Sequence, residues 1–284
     1  MVAFCGLELA HPIVNGSGTF DALAARRAFG DALLADFPFS LFVSKTITLA
    51  PRAGNPPPRL FETPAGMLNS IGLPNKGLDA YLAEDLPRLA ELPVPLCTNV
   101  MGGSAAELSA LVEAVGERAE VSVIELNVSC PNVRTGLDIG ADPVELASVL
   151  REVRPRTRTP LVVKLTPNTA DVAACARAAE AEGADAVSLV NTLRALAPHP
   201  DRPGEPWLGG RTGGLSGPAI RPVALAQVHA VAAAVRVPIV GMGGVQSGRH
   251  AAQFLAAGAT LVAVGTESFR DPAAGARIAR ELEA

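Results

Sequence analysis

Apolar residues fall along the chain in short, β-branched-rich runs, each followed by a longer stretch compatible with a helix. Eight such runs can be counted, at residues 12–18, 41–48, 95–102, 123–130, 161–167, 186–192, 238–244 and 261–268. Ala- and Leu-rich segments lie between them, among others at 105–118, 144–153, 169–182 and 220–235. Strands that are apolar on both faces belong to a parallel sheet covered by helices. Eight β/α units predict closure into an α/β fold of the (β/α)8 TIM barrel kind, with an open doubly wound sheet as the alternative. No repeat, low-complexity tract or linker interrupts the pattern, so a single domain over residues 1–284 is expected.

The spacing is uneven in two places. Gly/Pro/Asn-rich excursions follow the second and sixth runs, at 50–76 and 193–217. Both leave the C-terminal ends of strands, the face where barrel active sites form.

Composition adds exclusions. Apolar residues make up 49% of the chain, enough for a large core, and a net charge of −4 gives no electrostatic case for nucleic acid or an anionic membrane. No apolar run reaches the ~20 residues of a bilayer span. The N-terminus has neither a basic start nor a long apolar segment, so no signal peptide is expected and a cytoplasmic location is. Cys5, Cys97, Cys130 and Cys175 lack metal-ligand spacing, as do His11, His199, His229 and His250, so no metal is expected. A lone cysteine is by default a small buried hydrophobe.

Polar residues crowd the strand ends: Asn15 and Ser17, Lys45 and Thr46, Asn99, Asn127 and Cys130, Lys164, Asn191 and Thr192. Barrel interiors favour Val, Ile and Leu, so this recurrence points to a ligand site. The last two strands end in Gly241-Met242-Gly243-Gly244 and Gly265-Thr266. Glycines after strands seven and eight suit a phosphate held by backbone N–H groups, although ordinary turns use glycine too. Lys164, in Leu161-Val162-Val163-Lys164-Leu165, needs an anionic or electron-rich partner. A reduced flavin, a Schiff-base aldolase intermediate and a structural ion pair all satisfy that requirement.

At Asn127-Val128-Ser129-Cys130-Pro131-Asn132 the chain resembles the class 1 dihydroorotate dehydrogenases. Ser44-Lys45-Thr46, Gly54-Asn55-Pro56-Pro57-Pro58-Arg59, Asn69-Ser70-Ile71-Gly72-Leu73-Pro74-Asn75 and Gly213-Gly214-Leu215-Ser216-Gly217 extend the resemblance over essentially the whole chain. The excursion at 54–72 is most similar to class 1B, whose members pass electrons to NAD through a partner subunit.

The resemblance implies FMN held by Ser17, Lys45, Thr46, Asn99, Asn127, Lys164, Val190 and Gly217, with Gly243, Gly244, Gly265 and Thr266 on the phosphate side. Dihydroorotate would meet Lys45, Asn69, Ser70, Ile71, Gly72, Leu73, Asn127, Asn191 and Thr192. Carboxamides suit a pyrimidinedione edge, which alternates amide N–H and C=O groups. Cys130 would be the base at C5 of dihydroorotate, with Lys45 beside it, in a step of pyrimidine biosynthesis. Segment 131–142, with Gly136 and Gly140, would be a lid carrying that base. No strand–GxGxxG–helix and no cysteine cluster is present, so NAD reduction would need other equipment. The resemblance implies that an electron-transfer partner carrying FAD and an iron–sulfur cluster supplies it, and that the catalytic chain is a homodimer. Competing readings are direct reduction of fumarate, a lysine-dependent aldolase, and a non-catalytic FMN-binding subunit. Trp207 is read either as a cover over the flavin, as a partner contact, or as an ordinary packed tryptophan.

Overall fold

The structure, a computed structural model, describes residues 1–129 and 139–284. Eight strands form one sheet: β1 (Ile13–Asn15), β2 (Phe42–Val43), β3 (Leu96–Val100), β4 (Val123–Asn127), β5 (Leu161–Lys164), β6 (Ala186–Leu189), β7 (Ile239–Met242) and β8 (Leu261–Val264). Their order is β1-β8-β7-β6-β5-β4-β3-β2 and every pairing is parallel. Helices follow the strands, among them Ala105–Gly116, Pro143–Val153, Val172–Ala181 and Arg221–Ala232. Ser104, Asp142 and Asp171 start three of these helices by accepting backbone N–H bonds on their side chains. This is the expected TIM barrel, with each strand inside its predicted run but shorter.

The last seam closes without a backbone ladder. Between β1 and β2 the Asn15 carboxamide takes its place. Its Nδ2 donates to the Val43 carbonyl at 2.8 Å and its Oδ1 accepts from the Val43 N–H at 2.8 Å. Asn15 is fully buried, so this strand-end polar residue belongs to the barrel wall.

Side chains alternate across the sheet, as strand geometry requires. Ile124, Leu126, Leu161 and Val163 face outward into a core shared with the helices. Val14, Val43, Cys97, Val123, Val162, Ala186, Val240 and Leu261 face inward and form a separate cluster with Phe4 and Leu9. Those last two come from a hairpin, Val2–Phe4 with Leu7–Leu9. It turns on Cys5 (φ 49°) and Gly6 (φ 79°) and plugs the N-terminal end of the barrel.

The two excursions meet. Leu60–Thr63 pairs with Gly66–Asn69, which pairs with Gly213–Ser216, which pairs with Leu193–Ala195, all antiparallel. The sequence reads these stretches as loops. The structure makes them one four-stranded sheet beside the cavity, backed by a small core of Leu68, Ala197 and Leu208.

Candidate active site

The polar strand ends surround a cavity of about 470 Å³, within the size range of small-molecule and cofactor sites. Ser17, Lys45, Thr46, Asn69, Ile71, Gly72, Leu73, Asn127, Lys164, Val190, Asn191, Thr192, Gly217, Gly243, Gly244, Gly265 and Thr266 all line it. Asn99 and Ser70 do not. Asn99 is wholly buried and its Nδ2 donates to Glu125. Ser70 is 1% exposed and its hydroxyl accepts from Asn55 at 3.0 Å, behind the lining. Cys130 lies outside the described residues, as do 131–138 with Gly136. The far end of the expected lid is anchored: Gly140 is buried and Asp142 caps the helix Pro143–Val153.

A chain of hydrogen bonds crosses the cavity floor. The Ser17 hydroxyl donates to the Ser44 carbonyl at 2.8 Å and lies 3.3 Å from the Thr46 hydroxyl. Asn127 donates through Nδ2 to Thr46 at 3.3 Å and accepts on Oδ1 from the Ser129 hydroxyl at 3.1 Å. Asn191 Nδ2 then donates to Ser129 Oγ at 2.9 Å. Residues at the ends of β1, β2, β4 and β6 are thereby joined, and two carboxamides are held with fixed donor and acceptor ends. Asn168, just beyond β5, bridges the next turn: it donates to the Thr192 carbonyl at 3.0 Å and accepts from the Arg194 N–H at 2.8 Å.

Below this chain sits a buried charge cluster. Glu125, 4% exposed, accepts from Asn99 Nδ2 and from the Ser188 hydroxyl at 2.7 Å. Its Oε2 stands 4.0 Å from Lys164 Nζ, a separation worth about 4 kcal/mol of gross attraction at an effective dielectric of ~20. Lys164 therefore has both an ion-pair partner and a face on the cavity. Lys45 differs. Its side chain is open to the cavity, yet the walls around it strip water from the ammonium and hold its pKa below the usual lysine range, with Asp21 opposing the shift.

Glycines shape two walls. Gly72 (φ +72°) brings its backbone against Asn55, where an added Cβ would lie 2.6 Å from the Asn55 nitrogen. Gly244 (φ +73°) packs on Gly217, whose carbonyl oxygen would lie 2.7 Å from a Cβ there. Arg221 Nη1 donates to the Gly244 carbonyl at 3.1 Å and steadies that loop. Apolar side chains complete the lining, including Met67, Met242, Leu60 and Phe269, the last two 52% and 57% exposed at the rim.

Glu125, Ser129 and Asn168 join the site without being among the residues that the sequence pattern marks. Glu125 carried the same signal as Lys164, a charge within an apolar strand. Ser129 lay inside the Asn127–Asn132 motif, whereas a lone Asn168 in a turn gave no signal. The cysteines inside the described residues behave as small hydrophobes. Burial raises the Cys175 thiol above the ordinary cysteine range, raises Cys97 well above it, and pushes Cys5 up to about 12. Trp207 packs edge-on against His199, 5.1 Å between ring centroids, and joins the small core of the antiparallel sheet.

The sequence profile of a family described as "Dihydroorotate dehydrogenase" matches residues 1–284. Curated relatives include the protein named "Dihydroorotate dehydrogenase B (NAD(+)), catalytic subunit" of Citrifermentans bemidjiense, 45% identical over 283 residues, covering 99% of this chain and 91% of that one. The same name is carried by a relative from Desulforudis audaxviator, 43% identical over 286 residues with the same coverage, and by one from Geobacter sulfurreducens, 42% identical. Among solved structures, DHODH from Eimeria tenella in complex with ferulenol superposes with a TM-score of 0.81 at 22% identity, covering 99% of this chain and 82% of that one. At that identity the likeness speaks to the barrel fold.

Proposed function

This chain belongs to the dihydroorotate dehydrogenase family, and from that premise we propose that it is the catalytic subunit of a class 1B enzyme. It oxidises dihydroorotate to orotate and passes the electrons to NAD through a partner subunit, as the names of its relatives suggest. The observation carrying this reading is the convergence of Lys45, Asn127, Lys164 and Asn191 with Gly217, Gly243 and Gly244 on one cavity. Fumarate as direct acceptor and lysine-dependent aldol chemistry are not favoured by those names.

The residues present fit FMN. Gly217 and Gly244 give close backbone approach on one side, where a phosphate would lie. Lys164 presents a buried ammonium that makes no hydrogen bond among the described residues and faces the cavity, which suits an electron-rich ring. Ser17, Lys45, Thr46, Asn127, Val190, Gly243, Gly265 and Thr266 would hold the remainder, with Asn99 acting from behind through Glu125. When bound, FMN supplies the acceptor for the hydride that leaves C6 of the substrate.

The chain's own groups do the rest. Asn69, Asn127 and Asn191 present carboxamides to the pyrimidinedione edge, and the Ser129 bonds keep two of them from rotating. Lys45 offers positive charge to the substrate carboxylate. Cys130 removes the C5 proton, the role its motif assigns; a thiolate in this place needs a nearby cation, and Lys45 is the candidate. A homodimer, a partner bearing FAD and an iron–sulfur cluster, and a cytoplasmic location belong to the same reading. Among the described residues no helix is long and apolar enough to cross a membrane.

The test is anaerobic mixing of the purified, FMN-loaded chain with dihydroorotate. Flavin absorbance should bleach, and NAD should be reduced only after the partner subunit is added. A flavin that stays oxidised would overturn the substrate assignment.

A further inference from the structure

We propose that Glu125 is a positioning residue for Lys164, holding the ammonium by charge alone so that its protons stay available to the flavin; the proposal rests on the reading above. The argument starts from a division of bonds. A carboxylate beside a lysine normally takes hydrogen bonds from it, and the pair then closes to direct contact. Here both Glu125 oxygens are already engaged by neutral donors, Oε2 by Asn99 Nδ2 and Oε1 by the Ser188 hydroxyl at 2.7 Å. The acid is pinned to β3 and β6, and Lys164 Nζ remains 4.0 Å away.

At that distance the opposite charges still attract, which makes an ammonium with 7% side-chain exposure tolerable. The separation leaves the three N–H donors of Lys164 unspent among the described residues, on a side chain that lines the cavity. Barrel geometry supports the arrangement. Asn99 stands opposite Glu125 across the β3–β4 ladder, and Ser188 opposite Lys164 across β5–β6, so all four side chains share the barrel interior. Removing the carboxylate charge while keeping its shape leaves Lys164 uncompensated and more attractive to an anionic reduced flavin. Removing one pin frees the carboxylate to close on Lys164 and draw it from the cavity. The two changes act in opposite directions, which a merely structural acid would not produce.

The test uses the full chain loaded with FMN and reduced by dithionite, so it does not depend on dihydroorotate. Binding of oxidised and reduced FMN is titrated for wild type, Glu125→Gln and Ser188→Ala. Glu125→Gln should raise the reduced-to-oxidised affinity ratio about tenfold, ~30 mV for a two-electron couple. Ser188→Ala should lower it severalfold. If Glu125→Gln does not fold, the direction of the Ser188→Ala shift decides. An unchanged or inverted ratio overturns the proposal. A wild-type chain that binds no FMN overturns both this proposal and the functional reading, whereas FMN binding without bleaching by dihydroorotate removes only the substrate.

Discussion

The two ends of the barrel interior are built by the same strands and hold opposite chemistries. On β4, Val123 faces inward at the closed end, and Glu125 and then Asn127 follow it toward the cavity; on β5, Val162 gives way to Lys164. The closed end is apolar and sealed by Phe4 and Leu9 of the N-terminal hairpin. The open end carries a buried ion pair and a chain of hydroxyls and amides. One step of two residues along a strand separates stability from chemistry, so substitutions at the two ends should be separable in the laboratory.

The largest effect is expected from the open end. Cys130→Ala should retain FMN yet slow flavin reduction by dihydroorotate about 10²–10⁴-fold in stopped-flow absorbance, the usual worth of a general base. Cys97→Ala and Cys175→Ala should leave that rate nearly unchanged. An active Cys130→Ala variant would remove the base while leaving barrel and flavin in place. Next comes Lys164→Met, which blurs the division because it strands the Glu125 carboxylate. It should both weaken FMN binding and cost about 3 kcal/mol of stability in urea unfolding. A loss of FMN without loss of stability would mean that the 4.0 Å pair contributes nothing to the fold.

The closed end should show the reverse. Leu9→Ala, at a residue 1% exposed, should cost roughly 3 kcal/mol while leaving the rate per folded molecule unchanged. A slowed flavin reduction in this variant would join the two ends. The smallest effect concerns alkali. The fold holds the Cys5 thiol from 9.0 up to about 12, chiefly through burial, so above pH ~9 the unfolded chain loses a proton that the folded one keeps. That contribution to stability is fully present below pH ~9 and fades as pH rises toward 12. Tyr81, also raised to about 12, acts in the same direction. Cys5→Ala should flatten part of the decline in urea midpoint between pH 9 and 11.

The barrel itself was legible because its eight strands are apolar on both faces, a pattern that survives without knowledge of partners. The excursions were not. Gly66–Asn69 and Gly213–Ser216 are short and glycine-bearing, and the sheet they form is joined through a pairing of segments 145 residues apart, Gly214 with Asn69. Polarity at a strand end located the site but did not assign each residue to it. Asn15, Asn99 and Asn127 look alike in the sequence, yet one closes the wall, one steadies a carboxylate and one lines the cavity. What separates them is which way the strand turns its side chain and what lies opposite. Glu125 was overlooked beside Lys164 because a charge in a strand reads singly in one dimension, whereas its meaning depends on the neighbouring strand.

The sheet made from the two excursions also fixes an order of events during folding. Asn69 cannot find its partner Gly214 until strands β3 to β6 have been synthesised and have carried the chain round the barrel, and closing so long a loop is slow. A chain still emerging from the ribosome with residues only up to the end of β6 has six of its eight barrel strands and only the Leu60–Asn69 hairpin of the rim sheet. The lip of the site is thus completed only after the sixth strand, and the β1–β8 seam, where Ile13 pairs with Val262, closes over a still longer stretch of chain.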